Sequence, residues 1–196
     1  MARTIFDTSM SLDGFMTASN QTPDEPLGRG GMRLHEWAFG SDESNQQYLA
    51  AAVEGQGAVI CGRRTYDTSR WGADGPTGSA RLPVFVVTHR APTSSPAGGV
   101  YMFVTDGIES ALNQAPAVAG DKDVCVMGGA DLGRQYIAAG LVDEISIHLV
   151  PVLFGGGTRM FDDRPEHLQL EAVDVLPTSA VTHLRYRIAR QAGASR

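Results

Sequence analysis

The stretch VCVMGGADLGRQYI, residues 124–137, runs from an apolar strand pattern through Gly128 and Gly129 into a helical pattern. A strand that feeds a helix N-terminus leaves backbone N–H groups unpaired, with a positive partial charge in front of them, and that environment suits a phosphate. Glycines at the seam remove the side chains that would block its approach. Counted from Gly128, the letters fit a G-x-A-x-x-G variant of the dinucleotide fingerprint. No second set of βαβ units follows, so a full Rossmann domain is excluded. Tight packing of helix on sheet explains a glycine pair equally well, and the Asp131 carboxylate is itself able to satisfy the helix end.

Two further strand ends carry similar chemistry. ICGRRTYDT (60–68) brings Gly62, Arg63, Arg64 and Thr65 to the end of a short apolar run, and VVTHR (86–90) brings Thr88, His89 and Arg90. Guanidinium groups grip phosphate through paired hydrogen bonds, although adjacent arginines on a turn are commonly solvated. Three such ends agree with the rule that open α/β sheets bind ligands beyond the carboxyl ends of their strands. Two groups offer acid–base chemistry. Asp13 lies in a turn-forming Asp-Gly pair, and His148 points with Ser146 to the side opposite Ile145, Ile147 and Leu149. A lone strand histidine is also a common structural residue.

Positioning these groups requires alternating strands and helices. RTIFDTSMSL (3–12) reads as a first strand, followed to about residue 42 by a loop longer than idle connections, hence functional or poorly ordered. Ser44 and Gln47 form a capping-box pattern for a helix over 44–54, with Tyr48, Leu49, Ala52 and Val53 on one face. Strands follow at 58–61, 83–88, 100–104 and 124–127, with a helical turn at RRTYDTS. Asp106 and Glu109 repeat the capping logic for a helix that turns Ile108, Ala111, Leu112 and Ala115 inward, and another helix spans about 129–139 and ends at Gly140. After DEISIHLVPVLF and GGG come β-like segments near 168–176 and 180–190, so parallel crossovers give way to an antiparallel end. FGGGTRMF, lacking a strand-to-helix context, reads as a flexible hairpin loop, and RQAGASR as a short low-complexity tail.

Composition sets the bounds. The 196 residues, 42% apolar and 19% charged, suffice for one well-buried core, so a single domain over 1–196 is expected. A net charge of −6 argues against broad attraction to nucleic acid or anionic lipid. Cys61 and Cys125, each within an apolar run, read as buried reduced thiols. With no apolar leader and no run of ~18 apolar residues, a cytoplasmic protein is expected. No metal site is expected.

SLDGFMT (11–17), GRRTYD (62–67), MGGADLGRQYI (127–137) and GLVDEISIHLVPVLFGGGTRMF (140–161) together resemble the dihydrofolate reductase-like family that includes the C-terminal reductase domain of the riboflavin-biosynthesis deaminase/reductase. The resemblance runs in order along nearly the whole chain. It implies an α/β fold, with a mostly parallel eight-stranded sheet, an antiparallel C-terminal hairpin and flanking helices. It also implies NADPH, a small-molecule substrate and a homodimer. On that resemblance Met127, Gly128, Gly129, Ala130 and Leu132 would lie along the pyrophosphate, and Gly62, Arg63, Arg64 and Thr65 near the 2′-phosphate. Thr88, His89 and Arg90 would flank the adenine ribose, while Asp13, Gly14 and Met16 would sit over the nicotinamide.

The long loop would act as a lid, with Trp37 and Phe39 as an apolar wall and Tyr48 and Leu49 beside the substrate. His148 would face the cleft as proton donor, with Asp13 as the other candidate. Where dihydrofolate reductase itself carries a carboxylate on its first helix, this chain has Asn45, Gln46 and Gln47, which disfavours folate. The zinc motif of the deaminase half is missing, and TYDTSRWGADG departs from the reductase's usual Asp-Pro and later arginine. A stand-alone NADPH-dependent reductase of a heterocyclic or imine-like substrate results, with riboflavin-pathway chemistry the most specific form. A nucleotide-binding protein without turnover and a flavin-binding redox protein remain the alternatives.

Overall fold

The structure, a computed structural model, describes residues 2–161 and 167–189. In chain order its strands are β1 (Thr4–Ser11), β2 (Gln56–Gly62), β3 (Val84–Val87), β4 (Tyr101–Val104), β5 (Asp123–Met127), β6 (Glu144–Val150), β7 (Leu170–Pro177) and β8 (Thr182–Ile188). Its helices are α1 (Glu36–Phe39), α2 (Glu43–Gly55), α3 (Arg63–Ser69), α4 (Ile108–Ala119) and α5 (Ala130–Ala138). All eight strands join one sheet in the order β4-β3-β2-β5-β1-β6-β8-β7. The first six run parallel, and β8 runs antiparallel to both β6 and β7.

Strand alternation sorts the side chains into two faces. On one face Phe6, Ile60, Phe85, Val126, Ile145 and Ile147 meet the inward faces of α4 and α5. There the helix and sheet come into direct contact, because a Cβ on Gly133 of α5 would stand 2.3 Å from the Phe6 ring. On the other face Val59, Cys61, Val84, Val86 and Cys125 pack with Tyr66 and Trp71. Each fully buried aliphatic side chain contributes about 2 kcal/mol to stability. Both cysteines are free and buried, and burial pushes the Cys61 thiol up to about 12. Among the described residues no helix is long and apolar enough to cross a membrane.

Two expected caps are formed by other residues. The Asp42 side chain, not Ser44, caps α2 by accepting from the Asn45 amide at 3.1 Å, and Gln47 bonds Glu43. Gly107 occupies the N-cap of α4, and Asp106 instead accepts from the Ser110 hydroxyl. Which residue takes the N-cap depends on the backbone angles of the chain entering the helix, which are invisible in a list of letters. The inward alanines of α4 are as expected, Ala111 and Ala115 being fully buried. The long loop is well structured. It bonds back on itself through Ala18 N to Leu27 O at 2.7 Å and packs Leu34 and Trp37 against Val150 and Val181. FGGGTRMF is also pinned: Phe15 bridges to Arg159, and Met16 N donates to Thr158 O at 2.8 Å. The last strand is described as far as Ile188. The expected end at Arg190 and the tail that follows lie outside the described residues.

At the amino ends of β1 and β6, Glu144 is buried completely and accepts from Arg185 at 2.7 Å, Arg187 at 3.3 Å and Arg3 at 3.4 Å. Burial works to raise its carboxyl pKa, and the Arg185 and Arg3 guanidiniums outweigh it, so the group lies below its ordinary 4.5. A depressed carboxyl stabilises the fold above the unfolded value and loses that contribution as pH falls through the folded one. Glu144→Gln is expected to lower unfolding free energy by about 2 kcal/mol at pH 7 in urea titrations, less than a wholly buried pair because the arginines are partly solvated. The wild type should approach the variant's stability in acid.

Candidate functional site

One face of β1, β6 and β8 is polar, although it is buried. Asp7, Ser9, Ser146, His148 and His183 project from it beneath α2, and strand register places His148 opposite His183 and beside Ser9. Buried polar groups must find partners, and these form a chain. An Asp7 carboxylate oxygen lies 3.2 Å from His148 Nε2, His148 Nδ1 lies 2.9 Å from His183 Nδ1, and His183 Nε2 lies 3.0 Å from Asn45 Oδ1 on α2. Trp37 donates its indole N–H to Ser9 Oγ at 3.1 Å and covers His148 at a centroid distance of 4.4 Å. Tyr48 stacks on His183 at 4.0 Å, and its hydroxyl meets Ser146 Oγ at 3.1 Å.

The electrostatics follow from burial and neighbours. Burial, helped by nearby His148, presses His183 down to about 4, so it is neutral at pH 7. His35, whose ring lies at the cavity, is lowered chiefly by burial. Asp7 is opposed by burial, but His148 and the Ser146 hydroxyl outweigh that cost and hold its carboxyl below the ordinary value. Asp7 keeps 22% of its side chain exposed, against 5% for His148, so the carboxylate is the end of the chain that opens outward.

It opens into a cavity of about 480 Å³ beyond the carboxyl ends of the parallel strands. Asp7, His148, Trp37 and Tyr48 line its floor and one wall. Leu49, Ala52 and Val53, the apolar face expected on α2, line it too and are only half-buried. Exposed Phe39 stands at the mouth, and Met16 reaches in from the loop after β1. The wall opposite is built by Met127, Gly128, Gly129 and Ala130, with Arg64 and Thr65 adjoining.

Gly128 and Gly129 both have positive φ, 58° and 71°, which a residue with a Cβ adopts only at a cost. A Cβ on Gly129 would stand 3.2 Å from the Thr65 hydroxyl oxygen. The N-terminus of α5 carries no side-chain cap, because Asp131 turns away to pair with Arg134 at 2.8 Å. The α5 amides and the Thr65 hydroxyl therefore face a space that a diphosphate fits by size and charge. Arg64, held by Gln21 at 2.6 Å, adds a cation at the rim.

The remaining expected residues lie elsewhere. Arg63 chelates Asp67 at 2.8 Å and donates to the Arg90 carbonyl at 2.8 Å, which ties Gly62 and α3 to the Thr88–His89–Arg90 turn in a second cluster outside the cavity lining. Leu132 is buried behind the glycine wall. Asp13 and Gly14 do not line the cavity. The Asp13 carboxylate accepts from the Ser11 hydroxyl at 2.6 Å and from the amides of Gly155 at 2.7 Å and Phe154 at 3.1 Å. Those bonds, the Ser11 one foremost, pull its pKa to about 2, so it has no proton to give near neutrality. It works as a staple between two loops. Asp7, His183 and Asn45 were not singled out from the sequence for this chemistry. The one available signal was an acidic residue at Asp7, in the middle of a strand otherwise made of apolar and hydroxyl side chains.

The RibD C-terminal domain family matches residues 3–184. A putative riboflavin biosynthesis protein from Shewanella sp. PV-4 shares the fold at 20% identity and a TM-score of 0.72, over 96% of this chain and 99% of that one. A diaminohydroxyphosphoribosylaminopyrimidine deaminase/5-amino-6-(5-phosphoribosylamino)uracil reductase from Thermotoga maritima does so at 14% identity and 0.67, over 96% of this chain and 57% of that one. Dihydrofolate reductase from Enterococcus faecalis, complexed with NADP(H), does so at 14% and 0.62, over 96% and 97%. The architecture is thus dihydrofolate reductase-like.

A histidine held at about 4 binds fewer protons folded than unfolded between pH 4 and 6.5, so stability rises with pH across that window. Lowering the pH from 7 to 5 is expected to cost about 2 kcal/mol in urea unfolding, and His183→Gln should flatten that slope.

Proposed function

Because the chain belongs to the RibD C-terminal domain family, we propose that it is an NADPH-dependent reductase of a small heterocyclic or imine-like substrate, in its most specific form the 5-amino-6-(5-phosphoribosylamino)uracil reduction of riboflavin biosynthesis. The observation that carries this reading is one cavity that joins the Gly128–Gly129 cradle to the Asp7–His148 pair. The name of the Thermotoga neighbour supports the substrate class, and the NADP(H) complex of the Enterococcus enzyme supports the cofactor.

In this reading the α5 amides, Gly128, Gly129 and Thr65 hold the diphosphate. Arg64 and, through the second cluster, Arg63 and Arg90 meet the 2′-phosphate end, where an NAD-preferring site would place an acid. Bound there, NADPH supplies hydride. Trp37, Leu49 and Met16 exclude water from the reacting carbon, and His148 and its partners supply a proton to the atom that gains electrons. Asn45 occupies the helix position where a folate reductase would carry its carboxylate, and it is engaged with His183, which speaks against dihydrofolate as substrate.

The assembly is proposed as a homodimer. The edge strand β7 leaves Leu170, Val173 and Val175 exposed at 42%, 42% and 53%, a row that a second copy would cover. Sedimentation should give a dimer, and Val175→Lys should shift it towards monomer.

The decisive experiment is thermal shift with NADPH, NADH and FMN at matched concentrations. NADPH is expected to give the largest shift, and a shift with FMN alone would replace this reading by a flavoprotein one. Replacing both Arg63 and Arg64 by Ala should weaken NADPH at least tenfold while changing NADH little, and equal losses would remove the 2′-phosphate role. Steady NADPH consumption with the ribosylamino-pyrimidine separates an enzyme from a nucleotide-binding protein without turnover.

A further inference from the structure

The protons of the buried polar chain fix the charge at its open end. Asn45 is completely buried, and of its two amide atoms only the one 3.0 Å from His183 Nε2 has a partner. Amide oxygen and nitrogen are interchangeable in shape, and a buried N–H without an acceptor is rarer than a buried carbonyl without a donor. The nitrogen, rather than Oδ1, therefore takes that place and donates to His183 Nε2. His183 is neutral at pH 7, so its single N–H is at Nδ1 and donates across 2.9 Å to His148 Nδ1. His148 then carries its proton at Nε2 and donates it to Asp7, 3.2 Å away. Both rings are neutral, and Asp7 is a carboxylate with no imidazolium beside it.

Two donors converge on that carboxylate from within the protein: His148 Nε2–H and the Ser146 hydroxyl, whose oxygen accepts in turn from Tyr48. A carboxylate accepts at about four lone-pair sites. The others face the cavity of about 480 Å³, where 22% of the Asp7 side chain is exposed. Among the described residues that line this cavity, Asp7 is the one acidic side chain and Arg64 the one arginine or lysine. Arg64 adjoins the opposite wall, held by Gln21 at 2.6 Å. His35, also at the cavity, lies below its ordinary pKa chiefly through burial, so it adds no cation at pH 7. The floor thus holds a negative charge with no cation against it, next to the half-buried apolar face of Leu49, Ala52 and Val53.

We propose that Asp7 is the substrate-selecting residue of this site: its carboxylate pairs with a cationic N–H edge, an amidinium or a protonated imine, of a planar heterocycle whose face lies on Leu49, Ala52 and Val53. The proposal rests on the reductase reading and narrows its substrate class. N–H groups of a cation form charge-assisted hydrogen bonds to a partly desolvated carboxylate, whereas a neutral carbonyl edge presents only lone pairs to it. The same charge bears on the hydride step. A substrate nitrogen beside Asp7 holds a proton taken from solvent more firmly, because an opposite charge nearby favours its charged form. The proton that the reductase reading asks of His148 and its partners is then already on the substrate, kept there by Asp7. The iminium carbon gains hydride from a reduced nicotinamide, which is oxidised by two electrons. The C=N π pair becomes the lone pair of the amine nitrogen, and no bond to hydrogen breaks within the protein.

The test titrates benzamidine and benzamide, two rings of one shape that differ in the charge of one edge, into the full chain at pH 7 by calorimetry. Benzamidine is expected to bind at least about tenfold tighter than benzamide. In Asp7→Asn that preference should shrink to within about twofold, with the NADPH Kd changed by no more than about twofold. Equal binding of the two probes by the wild type overturns the proposal, and so does a preference that survives Asp7→Asn. ¹⁵N-histidine NMR of the wild type needs no variant. His183 should be protonated at Nδ1 only and His148 at Nε2 only, and a doubly protonated His148 overturns the proposal because Asp7 would then be balanced. The two readings fail separately: a wild type that binds no NADPH sinks the reductase, whereas intact NADPH binding with no benzamidine preference sinks only the Asp7 anchor.

Discussion

Two imidazoles buried 2.9 Å apart can share one proton and no more. That constraint dictates much of what surrounds it. The two rings cannot both be charged, because two N–H groups would then face each other, and each ring's other nitrogen needs a partner on its far side, which the fold supplies as Asp7 from β1 and Asn45 from α2. The antiparallel pairing of β8 with β6 sets His183 opposite His148. The aromatic cover then follows, because an apolar roof of Trp37 and Tyr48 keeps water from supplying competing hydrogen bonds.

The same arrangement explains why the cavity lies where it does. One face of β1 and β6 is sealed by α4 and α5 through Phe6, Ile145 and Ile147, so the polar face is left to α2 and the loop after β1. α2 reaches the chain with Asn45 at its first turn and then lies back along the cavity, presenting Leu49, Ala52 and Val53 to the interior space. At the other side, α5 begins at an uncapped turn directed into that space. A hydride donor bound along the glycine wall and an acceptor resting over Asp7 would meet between the two.

Much of this was legible in the letters. Every strand and every helix of three turns was foreseen to within a few residues, because alternation and 3.6-residue periodicity are local properties. The glycine pair and the direction of His148 were legible for the same reason. The buried polar chain was not, since Asp7, Asn45 and His183 are separated by well over a hundred residues from at least one partner and meet only through the tertiary fold. Asp13 misled in the opposite way. An Asp-Gly turn after the first strand looks like chemistry, and only the distant amides of Phe154 and Gly155 show it to be a fastening. Helix caps failed by one or two residues because they depend on backbone angles.

The carboxylate clamp of Glu144 with Arg3, Arg185 and Arg187 sits at the opposite end of β6 from His148, about 13 Å along the strand. What secures the architecture and what lines the cavity are thus segregated along the strand axis. A lineage is free to rewrite the upper loops, exchanging one pocket for another, while the foundation at the lower rim goes undisturbed.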